Sequence, residues 1–283
     1  RGAGDHWGGG AGPLDHRLGR GNPEHPVMRN LFDLQGSVAM VTGGGQGLGQ
    51  AISEGLAAYG ATVCVVDIDL EAARRVADGI GRSGGGAIPV QCDVSQEDQA
   101  KATVKKALDT YGKIDVLVAN AGIGDRSPAE TMTMSQWDRV IAINLRGVFL
   151  FDQAVGKHMI ERKGPGSIIN MASVAGQVGL TTGNANYAAS KGGVIALTRC
   201  LAIEWAKYGI RINAIAPTHF RTPLVATAIE NNPAVLDYFL GNIPLGRLGE
   251  GPDIVGAAVF LASSASAMVT GHVLNVDGGH TAR

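Results

Sequence analysis

SVAMVTGGGQGLGQAISEGLAAY, residues 37–59, is the stretch on which the fold turns. Ser37 to Thr42 is an almost unbroken apolar run, the pattern of a strand covered by other elements on both faces. From Gln46 to Tyr59 the period becomes helical, and between the two lies a turn made largely of glycine. Backbone at a strand-to-helix turn approaches a phosphate only where side chains are missing. The helix that follows offers free N–H groups and its positive dipole end. Gly43, Gly47 and Gly49 meet that requirement, so Gly43, Gln46, Gly47, Leu48 and Gly49 are expected to bind a pyrophosphate. The spacing is GxxxGxG rather than GxGxxG, which points to one subgroup of dinucleotide folds.

Outward from this unit, short β-branched runs alternate with longer helical stretches to near the end of the chain, the signature of βαβ units and a parallel sheet. Further strands are expected at Ala61 to Val66, Ala87 to Gln91, Ile114 to Ala119, Ser167 to Ala172, Arg211 to Ile215 and His272 to Val276. Helices are expected at Leu70 to Ile80, Gln96 to Tyr111, Ser135 to Glu161, Ala185 to Tyr208 and Pro252 to Ala262. Ser95 sits where an N-cap would, and Gly112 where a C-cap glycine would. The fold class is therefore α/β: a three-layer Rossmann fold whose doubly wound, seven-stranded parallel sheet fills residues 28–283 as one domain. Pro217 to Gly251 is proline-rich and far longer than an ordinary connection, so it reads as an irregular substrate lid. Residues 1–27 read as a disordered extension or a cloning remnant, with Met28 as the native start.

The second strand ends at Asp67, eighteen residues past Gly49. A carboxylate there accepts hydrogen bonds from the ribose hydroxyls of NAD and repels the 2′-phosphate of NADP. NAD is favoured over NADP on this ground, although Arg74 and Arg75 follow on the next helix. The alternative role for Asp67 is to cap that helix.

Tyr187-Ala-Ala-Ser-Lys191 falls within an expected helix, which sets the phenol and the ammonium on one face, one turn apart. A phenol titrates near pH 10 and is a poor base at neutrality, but an adjacent ammonium favours the phenolate. Such a pair alone is a weak signal. Ser173, just past the fifth strand at the sheet edge where open α/β folds bind ligands, strengthens it. The expected roles are Tyr187 as proton donor or acceptor, Ser173 as hydrogen-bond partner of the substrate oxygen, and Lys191 as holder of the nicotinamide ribose and of the phenol's ionisation.

With these residues in place, TGGGQGLG, the CDV at Asp93, Asn120-Ala121-Gly122, Asn144 in INLRGVF, Ser173, YAASK and the closing VDGG resemble the short-chain dehydrogenase/reductase family from about Leu34 to Gly279. The resemblance implies that Asp93 and Val94 contact adenine and that Asn120, Ala121 and Gly122 line the cofactor cleft. It makes Asn144 a fourth catalytic residue, acting through its backbone and a water. It also places Pro217, Phe220 and Thr222 around the nicotinamide, with Thr222 orienting the carboxamide. Thr218 and Phe220 stand where the family's usual Pro-Gly-x-Val-x-Thr has glycine and an aliphatic residue, a departure that bears on the backbone of this turn and on how it positions the nicotinamide.

The opening and closing segments further resemble gluconate 5-dehydrogenase and related polyol dehydrogenases, so the expected substrate is a small polyol, sugar or sugar acid. Gln177, Val178, Leu180, His219, Phe220 and Tyr238 are the candidate pocket residues. Two other readings are a 3-oxoacyl-[acyl-carrier-protein] reductase using NADPH, which Asp67 opposes, and a non-catalytic dinucleotide-binding sensor, which has no chemical need of Ser173, Tyr187 and Lys191 together.

Bulk properties agree. A net charge of −1 provides no basic field for nucleic acid or an anionic membrane surface. Hydrophobic residues at 45% against 17% charged suit a packed core. Ile254 to Gly271 lacks charge but is broken by serines and threonine, which argues for a buried helix and loop rather than a membrane span. Cys64, Cys92 and Cys200 form no CxxC pair and the histidines show no ligand spacing, so neither disulfides nor a metal are expected and the setting is cytoplasmic. The two longest helices look too apolar for one covered face, and the resemblance implies a homotetramer formed through them.

Overall fold

The computed structural model describes residues 30–180 and 183–282; the expected extension at residues 1–27 lies outside them. Among the described residues seven strands are formed: β1 (Val38–Thr42), β2 (Thr62–Asp67), β3 (Ala87–Gln91), β4 (Val116–Ala119), β5 (Gly166–Met171), β6 (Ile210–Pro217) and β7 (Val273–Val276). All pair in parallel in the order β3-β2-β1-β4-β5-β6-β7. The order reverses between β1 and β4, and at that switch point the loops leaving the two strands part and open a crevice.

The strands carry near-continuous apolar runs because both faces are covered. Met40, Leu117, Ile168 and Ile212 pack on one face beneath α3 (Glu97–Tyr111), α5 (Gly147–Glu161) and α6 (Ala185–Trp205). Val41, Val65, Val118 and Ile169 pack on the other beneath α1 (Gly47–Ala58), α2 (Leu70–Arg82) and α9 (Gly251–Ala262). Neighbouring residues of one strand thus serve opposite layers, as the two-residue period of a strand requires. Leu31–Arg283 forms one compact unit, and among the described residues no helix is long and apolar enough to cross a membrane.

Three expectations are corrected. The long helix at Ser135 to Glu161 is α4 (Met134–Ile141) and α5 separated by a π-helical turn, Ala142–Arg146, centred on Asn144. Ser95 is not the N-cap of α3. Its hydroxyl donates to Asp93 Oδ1 at 2.7 Å, and the helix starts after Gln96 with Glu97 and Asp98 in its first turn. The segment after β6 is not irregular, since it contains α7 (Pro223–Asn231) and α8 (Ala234–Gly241). These helices are short, and they build a separate small core around Phe239, Ile243 and Leu248 that only the folded chain assembles. Gly112 does end α3 in the left-handed conformation at φ 75°.

Candidate active site

A cavity of about 790 Å³ runs along the carboxyl ends of the strands. Its wall includes Gly43, Gln46, Gly47, Leu48, Gly49 and Asp67 at one end and Ser173, Tyr187 and Lys191 at the other. Asp93, Val94, Asn120, Ala121, Gly122, Pro217, Phe220 and Thr222 also line it.

The glycine turn is shaped by close approach. Gly43 and Gly47 have φ of 61° and 54°, which residues with a Cβ rarely adopt. At Gly49 a Cβ would lie 1.9 Å from the Gly43 carbonyl oxygen. Asn120 latches this turn to the end of β4: its Nδ2 donates to the Thr42 and Gly43 carbonyls at 2.9 and 3.1 Å. Thr42 Oγ1 accepts in return from the Asn120 and Ala121 N–H groups. Thr42 was not singled out in the sequence, though its place directly before the glycines was the available signal.

Asp67 is buried at the tip of β2, where Oδ2 accepts from the Gly45 N–H at 2.9 Å and Oδ1 from the Asp69 N–H at 3.1 Å. The cap of α2 is Asp69, not Asp67. Asp67 is therefore held by the glycine turn itself while still facing the cavity. Arg74 is ion-paired with Glu71. The missing side chains, the aligned N–H groups and a fixed carboxylate fit the adenosine and pyrophosphate portion of a nicotinamide dinucleotide.

At the other end, the Ser173 backbone is extended past β5 and its Oγ accepts from the Ala175 N–H at 3.1 Å. The hydroxyl also reaches the Tyr187 phenol across fourteen positions of sequence, since it is the side-chain hydrogen bond that lowers that phenol's pKa. The expectation that Lys191 depresses the phenol is not met in this structure. Burial raises the Tyr187 pKa, and that effect outweighs the lowering by Ser173 and by the charge of Arg126. Lys191 Nζ lies 5.8 Å from the ring centroid and donates instead to the Met171 carbonyl at 2.6 Å. Burial pushes Lys191 itself down to about 8. The i, i+4 spacing on α6 sets the two side chains on one face, but their surroundings set the ionisation.

Asn144 is fully buried, and its amide clamps one peptide: Oδ1 accepts from the Ile123 N–H at 2.8 Å, and Nδ2 donates to the Ile123 carbonyl at 2.9 Å. Nδ2 also donates to Ser190 Oγ at 3.3 Å. With the side chain so engaged, any contact with bound molecules falls to the backbone of the π-helical turn.

The pocket expectations divide. Leu180, His219 and Phe220 line the cavity, whereas Gln177, Val178 and Tyr238 do not. Gln177 is drawn away by Asn275, to which its Nε2 donates at 2.6 Å. On α8 it is Phe239 that faces inward, stacked on His219 with ring centroids 3.8 Å apart, and the preceding Tyr238 points off that face because successive helical residues are about 100° apart. Thr218, in place of the usual glycine, causes no strain: it is not among the described residues with positive φ, and its Oγ1 bonds His280 Nδ1 at 2.7 Å. Arg126, Asn184 and Phe239 line the cavity unforeseen, because each lies on a segment whose place only the folded chain decides.

A family model described as enoyl-(acyl carrier protein) reductase matches residues 43–281. D-threitol dehydrogenase of Mycolicibacterium smegmatis is 41% identical over 250 residues, 88% of this chain and 95% of that protein. Gluconate 5-dehydrogenase of Gluconobacter oxydans is 38% identical over 257 residues, covering 91% and 98%. A solved structure from Agrobacterium tumefaciens, provisionally assigned as a 2-deoxy-D-gluconate 3-dehydrogenase and holding NADP, superposes with a TM-score of 0.83 at 39% identity, covering 90% and 100%. Glycine turn, latched Asn120 and the Ser173–Tyr187–Lys191 cluster occur here on a sheet shared with these proteins, and this chain belongs to the short-chain dehydrogenase/reductase family.

Proposed function

We propose that this protein is an NAD-dependent oxidoreductase that interconverts a secondary alcohol and a ketone on a polyol, sugar or sugar acid. The observation that carries the proposal is the convergence of Ser173, Tyr187 and Lys191 at one end of a cavity whose other end is the glycine turn and Asp67. A nicotinamide dinucleotide, when bound, accepts or supplies the hydride. The Ser173 hydroxyl donates to the substrate oxygen and, as that oxygen gains negative charge, stabilises it. The Tyr187 phenol gives its proton to that oxygen in reduction and takes it back in oxidation. Lys191 is a buried cation one helical turn away, held in place by the Met171 carbonyl, and its role is to hold the nicotinamide ribose. Asn144 fixes the Ile123 segment against α6, while Gly43, Gln46, Gly47, Leu48 and Gly49 hold the pyrophosphate. Asp67, Asp93 and Val94 hold the adenosine, and Asn120, Ala121, Gly122, Pro217, Phe220 and Thr222 hold the nicotinamide side.

The relatives support this substrate class through their names, which specify threitol and gluconate. The NADPH-linked 3-oxoacyl-[acyl-carrier-protein] reductase reading is not favoured, since neither the charge of Asp67 nor those relatives point to it. The test is the initial rate at 340 nm with NAD and with NADP on polyols, sugar acids, secondary alcohols and a β-ketoacyl thioester, for wild type and Tyr187→Phe. Turnover of polyols or sugar acids that disappears in Tyr187→Phe is expected. NADPH-driven thioester reduction would replace this reading with the alternative, and a Tyr187→Phe variant of full activity would remove Tyr187 from the chemistry.

A further inference from the structure

The two ends of the cavity differ in charge. Asp67 and Asp93 stand at the nucleotide end, whereas around Tyr187 no described lining residue is acidic. Among the described lining residues, the side chains able to carry positive charge are Arg126, Lys191 and His219. Lys191 is committed to the Met171 carbonyl and the phenol. His219 is a neutral imidazole at physiological pH, because burial first, and then His280 and Arg126, push it down to about 4. Arg126 is thus the one exposed, fixed cation among the described lining residues of this end.

Its backbone is pinned on both sides. The Asp125 carbonyl accepts from Asn186 Nδ2 at 3.0 Å, and the Ser127 N–H donates to the Gly183 carbonyl at 3.1 Å. The loop carrying Arg126 is therefore tied to the residues that lead into Tyr187. The adjacent carboxylate, Asp125, does not neutralise it, being engaged with Arg139 at 2.7 Å and Gln136 at 3.2 Å. The guanidinium makes no hydrogen bond or ion pair with a described residue, yet its charge is felt at both Tyr187 and His219. A planar fork of N–H donors beside the reacting group, with no carboxylate of its own, matches a carboxylate on the molecule being oxidised.

We propose that Arg126 is a specificity-determining residue that receives the carboxylate of the substrate, so that the preferred substrate is a sugar acid rather than a neutral polyol. The proposal rests on the dehydrogenase reading above and narrows its substrate class. The experiment compares kcat/KM on D-gluconate and other four- to six-carbon aldonates with that on the matching uncharged alditols, for wild type, Arg126→Ala and Arg126→Lys. Wild type is expected to prefer aldonates, and Arg126→Ala to lose roughly 10- to 100-fold on them, the range of a charge-assisted hydrogen-bonded pair, mainly through KM. The aldonate-to-alditol ratio should collapse in Arg126→Ala and stand between the two in Arg126→Lys, which keeps the charge without the fork. In wild type, added NaCl should raise KM for aldonates and not for alditols, a readout that needs no variant. A wild type that prefers alditols, or an Arg126→Ala loss equal on both classes, overturns the proposal. If alditols alone are turned over and Tyr187→Phe is inactive, the proposal falls and the dehydrogenase reading stands; if neither class is turned over, both fall.

Discussion

Replacing Asp67 with Asn tests the assignment of the nucleotide end, because it removes a negative charge while keeping the side chain's shape and one oxygen acceptor. The carboxylate is nearly buried and fixed by the Gly45 and Asp69 N–H groups, so it cannot swing away from an incoming 2′-phosphate. With a separation of about 5 Å, an effective dielectric constant between about 40 and 80, and a phosphate charge of about −2, the repulsion is roughly 2 to 3 kcal/mol. At 1.4 kcal/mol per factor of ten this is roughly a 30- to 150-fold preference for NAD over NADP in kcat/KM. The assay is the ratio of kcat/KM for the two nucleotides at one fixed substrate concentration, with the melting temperature as a check on folding. Asp67→Asn should reduce the ratio by most of that factor, chiefly by lowering KM for NADP. The reasoning fails if wild type uses both nucleotides equally, as the NADP held by the Agrobacterium structure shows a relative can bind that form, or if a well-folded Asp67→Asn keeps the wild-type ratio.

Further outcomes concern the turn, the reacting group, a buried acid and assembly. Gly49→Ala should abolish nucleotide binding, measured by quenching of intrinsic fluorescence, because its Cβ would sit 1.9 Å from the Gly43 carbonyl; unchanged affinity would show that the turn does not hold the pyrophosphate. Tyr187→Phe should lower kcat by roughly 10²- to 10⁴-fold, the usual yield of a positioned proton donor, while leaving nucleotide affinity within about threefold. Asp152 is buried with its Oδ1 and the Asn170 Oδ1 both lacking a hydrogen-bond partner among the described residues, and burial raises its pKa to about 7 despite the hydrogen bond from Asn170. The folded chain thus keeps a proton that the unfolded chain gives up near pH 4. Its stabilising effect is full below that pH and declines as pH rises to about 7, by an order of 4 kcal/mol in total. Denaturant midpoints between pH 5 and 7.5 should fall more steeply for wild type than for Asp152→Asn, and parallel slopes would refute this. Phe149 on α5 is 38% exposed and Ile203 on α6 is 80% exposed, so these helices are proposed to meet in a homotetramer; light scattering after size exclusion should give four subunits, and a stable monomer would disprove it.

Much of this protein was legible in one dimension because the signals are local. The strand–glycine–helix unit at residues 37–59, the carboxylate at the tip of β2 and the four-residue spacing of Tyr187 and Lys191 each depend on near neighbours in sequence. Backbone periodicity converts such neighbours directly into geometry. Tertiary structure decided what depends on distant parts of the chain. Ser173 meets Tyr187 only because β5 and α6 pack together, and Asn120 grips the glycine turn only because β4 lies beside β1. Phe239 rather than Tyr238 faces the cavity because α8, hidden in a proline-rich stretch, closes over a core of its own. The ionisation of the Tyr187 phenol is decided by its surroundings too. Spacing along the helix supplies the ammonium, but desolvation belongs to everything that surrounds the phenol and exists only once the chain has folded.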